Sequence, residues 1–147
     1  MAEARRPKVL VVDEEPDVAL SLKRLLERRI GASVEVAGGA DAARGRLPGD
    51  FEVVTLDYQM PDGDGLTLLQ EIVALPDAPR AVMVTGHGDE QIAVDAFRYG
   101  ASGYVAKDQR LPELLTDAVS KALLETRLKD TERALHVSEE ELILGEQ

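Results

Sequence analysis

One stretch decides the fold of this chain: residues 51 to 65 read FEVVTLDYQMPDGDG. The apolar, β-branched run around Val53 predicts a buried strand, and the run stops at a carboxylate, Asp57. A proline and two glycines then predict a turn, after which Asp64 is placed to cap a helix. Because a buried charge is unfavourable without a partner, Asp57 is either the cap of a turn or the centre of a site.

The segments on either side of this stretch predict an alternating α/β fold. Strands are predicted at residues 8–12, 33–37, 53–56, 81–84 and 103–106, and helices beginning near residues 16, 40, 65, 89 and 112. The strand Ser33–Ala37 alternates apolar and polar residues, which favours an edge position. The alternation of strands and helices predicts a doubly wound, five-stranded parallel sheet with right-handed crossovers.

Length and composition exclude several classes of protein. The 147 residues correspond to about one domain, and the net charge of -11 argues against direct nucleic-acid binding. The absence of cysteine excludes disulfides and thiolate chemistry. The first residues lack the apolar core of a signal peptide, and no apolar run approaches the length of a membrane span, so no membrane contact and a cytoplasmic location are expected.

Polar side chains follow four of the predicted strands: Asp13 and Glu14, then Asp57, then Thr85, then Lys107. In a parallel sheet these strand ends meet at one edge, where ligands commonly bind. Three carboxylates together require a cation, and oxygen ligands favour Mg²⁺. Thr85 and Lys107 would then cradle a phosphoryl group, with Asp57 as the nucleophile that accepts it.

Each of these residues also has an ordinary structural explanation. The two acidic residues could complement a helix N-terminus, Thr85 suits a strand as a β-branched residue, and Lys107 could lie on the surface. The joint site is favoured because five residues, distant in sequence, fall at the same end of successive strands.

Four motifs then identify a resemblance. VLVVDEEP, LDYQMPDGDG, VTGHGD and GYVAK, in this order and spacing, resemble the receiver domain of two-component response regulators over about residues 7 to 122. The resemblance implies a flavodoxin-like fold with strand order 2-1-3-4-5. It also implies that Asp57 takes a phosphoryl group from the phosphohistidine of a histidine kinase or phosphotransfer protein.

The same resemblance implies a role for each residue of the site. Mg²⁺ would be held by Asp13, Glu14, Asp57 and the backbone carbonyl of Gln59. Thr85 and Lys107 match the positions that contact the phosphoryl group, and Tyr104 matches the aromatic residue that switches with Thr85 on activation. Gln59 and His87 match the positions that tune the lifetime of the phosphorylated state, although His87 could equally be a plain loop histidine.

Two residues depart from the family pattern. Glu14 stands where aspartate is usual, which lengthens the arm of a metal ligand and keeps its charge. Asp108 stands where the family has proline after a cis peptide bond. A cis bond before another residue costs about 2.5 to 4 kcal/mol, so the Lys107–Asp108 bond is either trans or held under strain. Asp62 and Asp64 are expected in turn and cap roles rather than as additional metal ligands.

The tail continues as a predicted helix without a breaker until Gly145. Leu128, Leu135 and Leu142 recur every seven residues, and residues 124, 131 and 138 occupy the alternate core positions of a coiled coil. We therefore expect a receiver domain over residues 1–122, a helical extension over residues 123–147, and a homodimer through this extension. The alternative is a marginal amphipathic helix or a linker to an absent output domain.

The predicted function is that of a phosphoacceptor signalling module, with autodephosphorylation but without metabolic enzyme activity. A competing hypothesis is an aspartyl phosphohydrolase of the haloacid-dehalogenase type, which also uses Mg²⁺, threonine and lysine. That family requires a second aspartate two residues after the nucleophile, where this chain has Gln59. A third hypothesis, a phosphate-independent binding module, does not explain the complete acidic set.

Overall fold

The computed structural model describes residues 5–47, 49–86 and 89–145, without the side chains of residue 134 and residues 136–145. Its centre is a parallel sheet of five strands in the order β2-β1-β3-β4-β5. The strands are β1 (Lys8–Val12), β2 (Ser33–Ala37), β3 (Val53–Leu56), β4 (Arg80–Thr85) and β5 (Gly103–Ala106). The predicted fold class, strand order and edge position of Ser33–Ala37 are confirmed.

Helices cover both faces of this sheet. They are α1 (Pro16–Ile30), α2 (Ala40–Arg46), α3 (Gly65–Val73), α4 (Glu90–Arg98) and α5 (Leu111–Gly145). Alternate strand residues point to opposite faces, so Val54 and Leu56 pack in the cluster that includes α2, α3 and α4 residues, whereas Val53 packs in the cluster with α1 and α5 residues. Burial on both faces explains why the central strands are continuous apolar runs.

The predicted cap at Asp64 is confirmed, and other helix ends also follow from the local sequence. The carboxylate of Asp64 accepts a hydrogen bond from the Thr67 N–H at 2.8 Å, and that of Asp89 accepts one from the Ile92 N–H at 2.9 Å. Gly31 ends α1 with a positive φ of 73°, a conformation that glycine adopts without steric penalty.

The last helix, α5, runs unbroken from the sheet into the tail. Leu115, Val119 and Ala122 are fully buried against the sheet. Beyond residue 124 the helix still contacts the rest of the chain, because Arg127 approaches Glu52 at 3.9 Å. Arg133 pairs with Asp77 in the α3–β4 loop at 2.9 Å. The side chain of Leu142, the third of the spaced leucines, lies outside the described residues.

A short antiparallel ribbon follows Asp57, and the sequence did not predict it. Gln59–Met60 pairs with Gly63–Asp64, with Gln59 opposite Asp64. Strands of two residues are too short to carry an alternating pattern, which is why sequence periodicity misses them. Among the helices of the described residues, none is both long and apolar enough to cross a membrane.

Candidate functional site

The site lies at the carboxyl edge of the sheet, where the backbone ladder fixes the first residue after each strand. The N–H of Asp13 donates to the carbonyl of Ala37 at 3.1 Å. In the same way, the N–H of Asp57 donates to Val12 at 3.1 Å, and the N–H of Lys107 donates to Thr85 at 3.1 Å. Each polar residue therefore extends a parallel strand by one hydrogen bond, and its position is set by the sheet.

Two buried carboxylates converge on one ammonium group. The Lys107 Nζ donates to Asp13 Oδ2 at 2.7 Å and to Asp57 Oδ2 at 3.4 Å. Asp13 is 2% exposed and Asp57 is 5% exposed. The parallel sheet thus brings together three of the residues that the sequence singled out, and the lysine offsets part of the negative charge that their burial makes unfavourable.

The charge state of Lys107 reflects these contacts. Burial favours the neutral amine, but the hydrogen bond and charge of Asp13, followed by those of Asp57, outweigh it and raise the pKa of Lys107 above its usual value. The side chain is therefore a fixed cation at neutral pH. It is suited to stabilising a phosphoryl group placed beside the two carboxylates.

The second oxygen of Asp57 has no hydrogen-bond partner among the residues that the structure describes. Asp57 Oδ1 is buried and unpaired, whereas Asp13 Oδ1 accepts the Glu15 N–H at 2.9 Å. A buried carboxylate oxygen without a donor is costly unless a cation or a transferred group interacts with it. This orphaned oxygen is the observation that most directly favours chemistry at Asp57.

The remaining predicted metal ligands lie at the rim of the site. Glu14 and Gln59 are exposed and line one shallow depression together with Tyr58 and Asp64. Within residues 5–47, 49–86 and 89–145, no three acidic or histidine side chains are grouped so that they could hold a metal ion by themselves. Mg²⁺ does not need such a cage, because it commonly binds one or two carboxylates and keeps several waters. Asp13, Asp57 and a backbone carbonyl are hard oxygen donors that fit this ion.

Thr85 and Tyr104 lie on the neighbouring strands β4 and β5. Thr85 is almost fully buried and is in register with Ala106, while Tyr104 is in register with Met83. The Tyr104 ring is partly buried and packs against the core cluster beside α4. Burial, together with the charge of Asp89, raises the pKa of the Tyr104 hydroxyl, which therefore stays protonated.

The peptide bond after Lys107 is trans, which settles the question left by the unusual Asp108. The described residues contain no cis bond. The N–H of Asp108 donates to the Ala106 carbonyl at 2.9 Å, a hydrogen bond that proline at this position could not make. The Asp108 carboxylate accepts the Arg110 N–H at 2.9 Å just before α5 begins.

The partner of Asp62 is a contact that the sequence did not predict. Asp62 accepts the N–H groups of Ala40 and Asp41, both at 2.9 Å, and so caps α2 across the loop. A cap role was expected for Asp62, but no local signal names a helix that begins 22 residues earlier. His87, the proposed tuning residue, lies outside the described residues.

The comparisons with known proteins agree with this geometry. The family model described as the response regulator receiver domain matches residues 9–119. The C4-dicarboxylate transport transcriptional regulatory protein DctD of Rhizobium meliloti is 35% identical over 143 residues, which cover 94% of this chain and 31% of DctD. The chemotaxis protein CheY of Bacillus subtilis is 27% identical over 117 residues, covering 79% of this chain and 97% of CheY.

A solved structure gives the same result for the fold. The CheY-like response regulator receiver domain protein from Methanospirillum hungatei JF-1 superposes with a TM-score of 0.76 at 26% identity. The match covers 85% of this chain and 99% of that protein. The matches thus cover nearly all of CheY and of the Methanospirillum protein, whereas the chain spans less than a third of DctD.

Proposed function

We propose, because this chain belongs to the response regulator receiver domain family, that Asp57 is its phosphoacceptor. The donor would be the phosphohistidine of a histidine kinase or phosphotransfer protein. The observation that carries this proposal is the buried Asp57 carboxylate, which contacts Lys107 through one oxygen and whose other oxygen has no partner within the described part of the chain. The protein is a signalling module of a two-component system, and we propose no metabolic reaction for it.

The proposed transfer is a displacement at phosphorus. A carboxylate oxygen of Asp57 attacks the phosphorus atom, a P–O bond forms, and the P–N bond to the donor imidazole breaks with its electron pair returning to nitrogen. Hydrolysis later releases inorganic phosphate and restores the carboxylate. Both the transfer and the hydrolysis are in-line displacements at the same phosphorus atom. The protein therefore catalyses them by positioning the reacting groups and by stabilising the charge on the phosphoryl oxygens.

The residues around Asp57 would supply that positioning. Lys107, held between Asp13 and Asp57, would shift its ammonium group to pair with the added phosphoryl oxygens. The hydroxyl of Thr85 would donate to another of those oxygens. Mg²⁺, when bound, would neutralise charge on the phosphoryl group. The ligands proposed for it are Asp13, Glu14, Asp57 and the Gln59 carbonyl, with Glu14 reaching in from its exposed position at the rim.

The test is a mass measurement with a matched control. Incubation with acetyl phosphate and Mg²⁺ should add one phosphoryl group to the intact protein, and the Asp57→Asn variant should gain none. Asp50→Asn is the control, because Asp50 is an exposed carboxylate that precedes the same strand, β3, at its opposite end. Phosphorylation of the Asp57→Asn variant to the wild-type extent would overturn the assignment.

The hydrolase alternative receives no support. The matching family and the relatives above are receiver proteins and response regulators, and Gln59 occupies the place where that hydrolase would need its second aspartate. Sustained turnover of phosphate monoesters by the purified chain would reverse this conclusion.

We also propose that Thr85 and Tyr104 form the switch. Movement of the Thr85 hydroxyl towards a phosphoryl group would open space for the Tyr104 ring, which is partly buried next to α4. Amide exchange in α4 should therefore change when beryllofluoride, a phosphoryl mimic, is added. Unchanged exchange in both the Thr85 loop and α4 would contradict the switch.

The tail is proposed to be a dimerisation helix, with the receiver domain ending at residue 122 and the extension beginning at residue 123. Leu124, Leu128 and Leu135 are 58%, 54% and 59% exposed. Since a helix turns about 100° per residue, these leucines share one face, and Asp130 and Arg133 lie on the opposite face, next to the domain. The helix is thus oriented with its leucines away from the sheet.

A cytoplasmic location is also part of the proposed function.

A further inference from the structure

Asp62 uses both carboxylate oxygens on the first turn of a different helix. Oδ1 accepts the N–H of Ala40 and Oδ2 accepts the N–H of Asp41, each at 2.9 Å. Two backbone N–H groups at a helix start have no partner within the helix, so a carboxylate placed there satisfies both and complements the helix dipole. These hydrogen bonds hold the pKa of Asp62 below its usual range, so the side chain is ionised at neutral pH.

The contact between the loop and α2 is close enough to exclude larger side chains. A Cβ atom on Gly39 would lie 2.8 Å from Asp62 Oδ1, closer than real Cβ contacts. Gly63 has a φ of 152°, and a Cβ there would lie 3.4 Å from the Ala40 Cβ and in a backbone conformation that other residues rarely adopt. The glycines on both sides of Asp62's contact therefore let the loop lie directly on α2.

The loop held in this way carries a proposed metal ligand. Gln59 and Asp64 face each other in the short ribbon, and Asp62 lies in the turn between its two strands. Gln59, Pro61 and Asp62 are exposed, whereas Met60 is partly buried against the core cluster, so packing holds the first strand of the ribbon more than its turn. Among the side-chain hydrogen bonds of the described residues, those made by Asp62 are the two that join this loop to α2.

We propose that Asp62 is a positioning residue for the metal site: by pinning the loop to α2, it holds the Gln59 carbonyl in place for Mg²⁺ beside Asp57. This inference rests on the proposed function. We assign Asp62 this positioning role, and not that of a ligand, because its carboxylate binds the first turn of α2 through both oxygens. Its effect passes through the ribbon to Gln59, in the way that partners of metal ligands fix those ligands in space.

Two variants separate positioning from charge. Asp62→Ala removes the negative charge and both hydrogen bonds, whereas Asp62→Asn removes the same charge and keeps one acceptor oxygen. In calorimetric titration of the full chain with Mg²⁺, the dissociation constant should rise about tenfold in Asp62→Ala and by clearly less in Asp62→Asn. Asp89→Ala, which removes the cap of α4 and leaves the loop intact, is the control and should bind Mg²⁺ like wild type.

Amide exchange provides a second readout that does not depend on phosphorylation. The N–H groups of Ala40 and Asp41 should exchange faster in Asp62→Ala, and added Mg²⁺ should slow exchange across residues 59–63 in wild type more than in the variant. Equal Mg²⁺ affinity in wild type and Asp62→Ala, or equal losses in Asp62→Ala and Asp62→Asn, would overturn the inference. A wild-type chain that binds no Mg²⁺ would instead overturn the metal site of the proposed function as well.

Discussion

The backbone of Gly65 lies against the carbonyl group of Asp57, so closely that a Cβ atom on residue 65 would overlap that oxygen. The Gly65 N–H also donates to the Tyr58 carbonyl at 2.7 Å. The first residue of α3 is therefore packed onto the backbone of the proposed phosphoacceptor. Since the conflicting atom belongs to the backbone, no side-chain rotation could make room for a methyl group.

The first prediction concerns this close approach. Gly65→Ala should destabilise the fold by about 1 to 3 kcal/mol or more, because the strand end and the helix start must separate to admit the methyl group. It should also slow phosphorylation from acetyl phosphate, since Asp57 would be displaced. Urea unfolding and intact mass measure the two effects.

Gly45→Ala is the matched control for that substitution. Gly45 lies in α2, and a Cβ atom added to it would have no neighbouring atom within 4 Å, so alanine there should stabilise the helix by about 0.5 to 1 kcal/mol. Similar unfolding midpoints for the two variants would show that the contact between Gly65 and Asp57 is unimportant.

The sequence was sufficient for those features that depend on local patterns. Short apolar segments, and for Ser33–Ala37 an alternation of apolar and polar residues, located the five strands of the sheet. The caps at Asp64 and Asp89 were predictable because each carboxylate binds an N–H only three residues away. The meeting of Asp13, Asp57 and Lys107 was also predictable. It follows from the rule that the carboxyl ends of parallel strands share one edge, even though Lys107 is 94 residues from Asp13.

Contacts between distant segments without a repeating pattern could not be predicted. The partner of Asp62 lies 22 residues away at the start of α2, and that of Arg133 lies 56 residues away. Each pair joins a helix to an exposed loop residue, Asp62 or Asp77, where no periodicity constrains the pairing. The exposed position of Glu14 is also a matter of side-chain placement, which the order of residues does not specify.

A second prediction concerns Thr55, whose hydroxyl is buried in β3 and has no hydrogen-bond partner in the described part of the structure. Thr55→Val replaces the hydroxyl by a methyl group of similar size in a cluster of valines and leucines, so it should stabilise the protein by about 1 kcal/mol or more. The urea midpoint should rise with an unchanged m-value.

Thr126→Val serves as the comparison for Thr55. The Thr126 hydroxyl donates to the Ala122 carbonyl at 3.1 Å on α5. Its removal therefore eliminates no unpaired polar group, and the stability gain expected for Thr55→Val should not occur. A Thr55→Val variant less stable than wild type would mean that the hydroxyl has an unrecognised role in the core.

A third prediction concerns the acidic pair. If Asp13 and Glu14 bind Mg²⁺, the wild-type melting temperature should rise as Mg²⁺ is added. The free energy of unfolding should increase by about 2.7 kcal/mol when the Mg²⁺ concentration is 100 times the dissociation constant. The double variant Asp13→Asn, Glu14→Gln should lose this gain. Asp50→Asn should keep it, because Asp50 lies at the other end of β3; a double variant that still responds to millimolar Mg²⁺ would refute the assignment.

A fourth prediction is a pH dependence that comes from Asp62. Hydrogen bonds from the N–H groups of Asp41 and Ala40 lower the pKa of Asp62 in the folded state, and the nearby Arg44 acts in the same direction. The stabilisation is therefore complete above the unfolded-state pKa of about 3.9 and is lost as the pH falls through the lower folded-state value.

The comparison of wild type with Asp62→Asn measures this effect. Urea unfolding should show a stability difference between the two proteins at pH 7 that narrows below about pH 4, where the wild-type carboxyl group becomes protonated. Asp41, which pairs with Arg44, is present in both proteins, so its contribution to the difference cancels. A difference that stays constant down to pH 2.5 or so would show that the Asp62 carboxylate does not cap α2.

The last prediction concerns the tail, where ion pairs orient the exposed leucines. Arg133 pairs with Asp77, both exposed, and the exposed Arg127 approaches the partly buried Glu52. Such surface pairs add little stability, so their main effect is to orient the helix. Burying one leucine side chain is worth about 1.5 to 3 kcal/mol, so a parallel pair of tails could associate through this face despite its weak Thr131 layer.

Light scattering of the full chain should therefore give the mass of a dimer at high micromolar concentration. Leu128→Lys with Leu135→Lys should give a monomer with unchanged phosphorylation of Asp57, because both leucines are exposed and far along α5 from the site. Arg133→Gln is the control that removes a tail contact with the domain and leaves the leucines in place, and it should remain dimeric. A wild-type chain that stays monomeric with and without beryllofluoride would refute dimerisation through the tail.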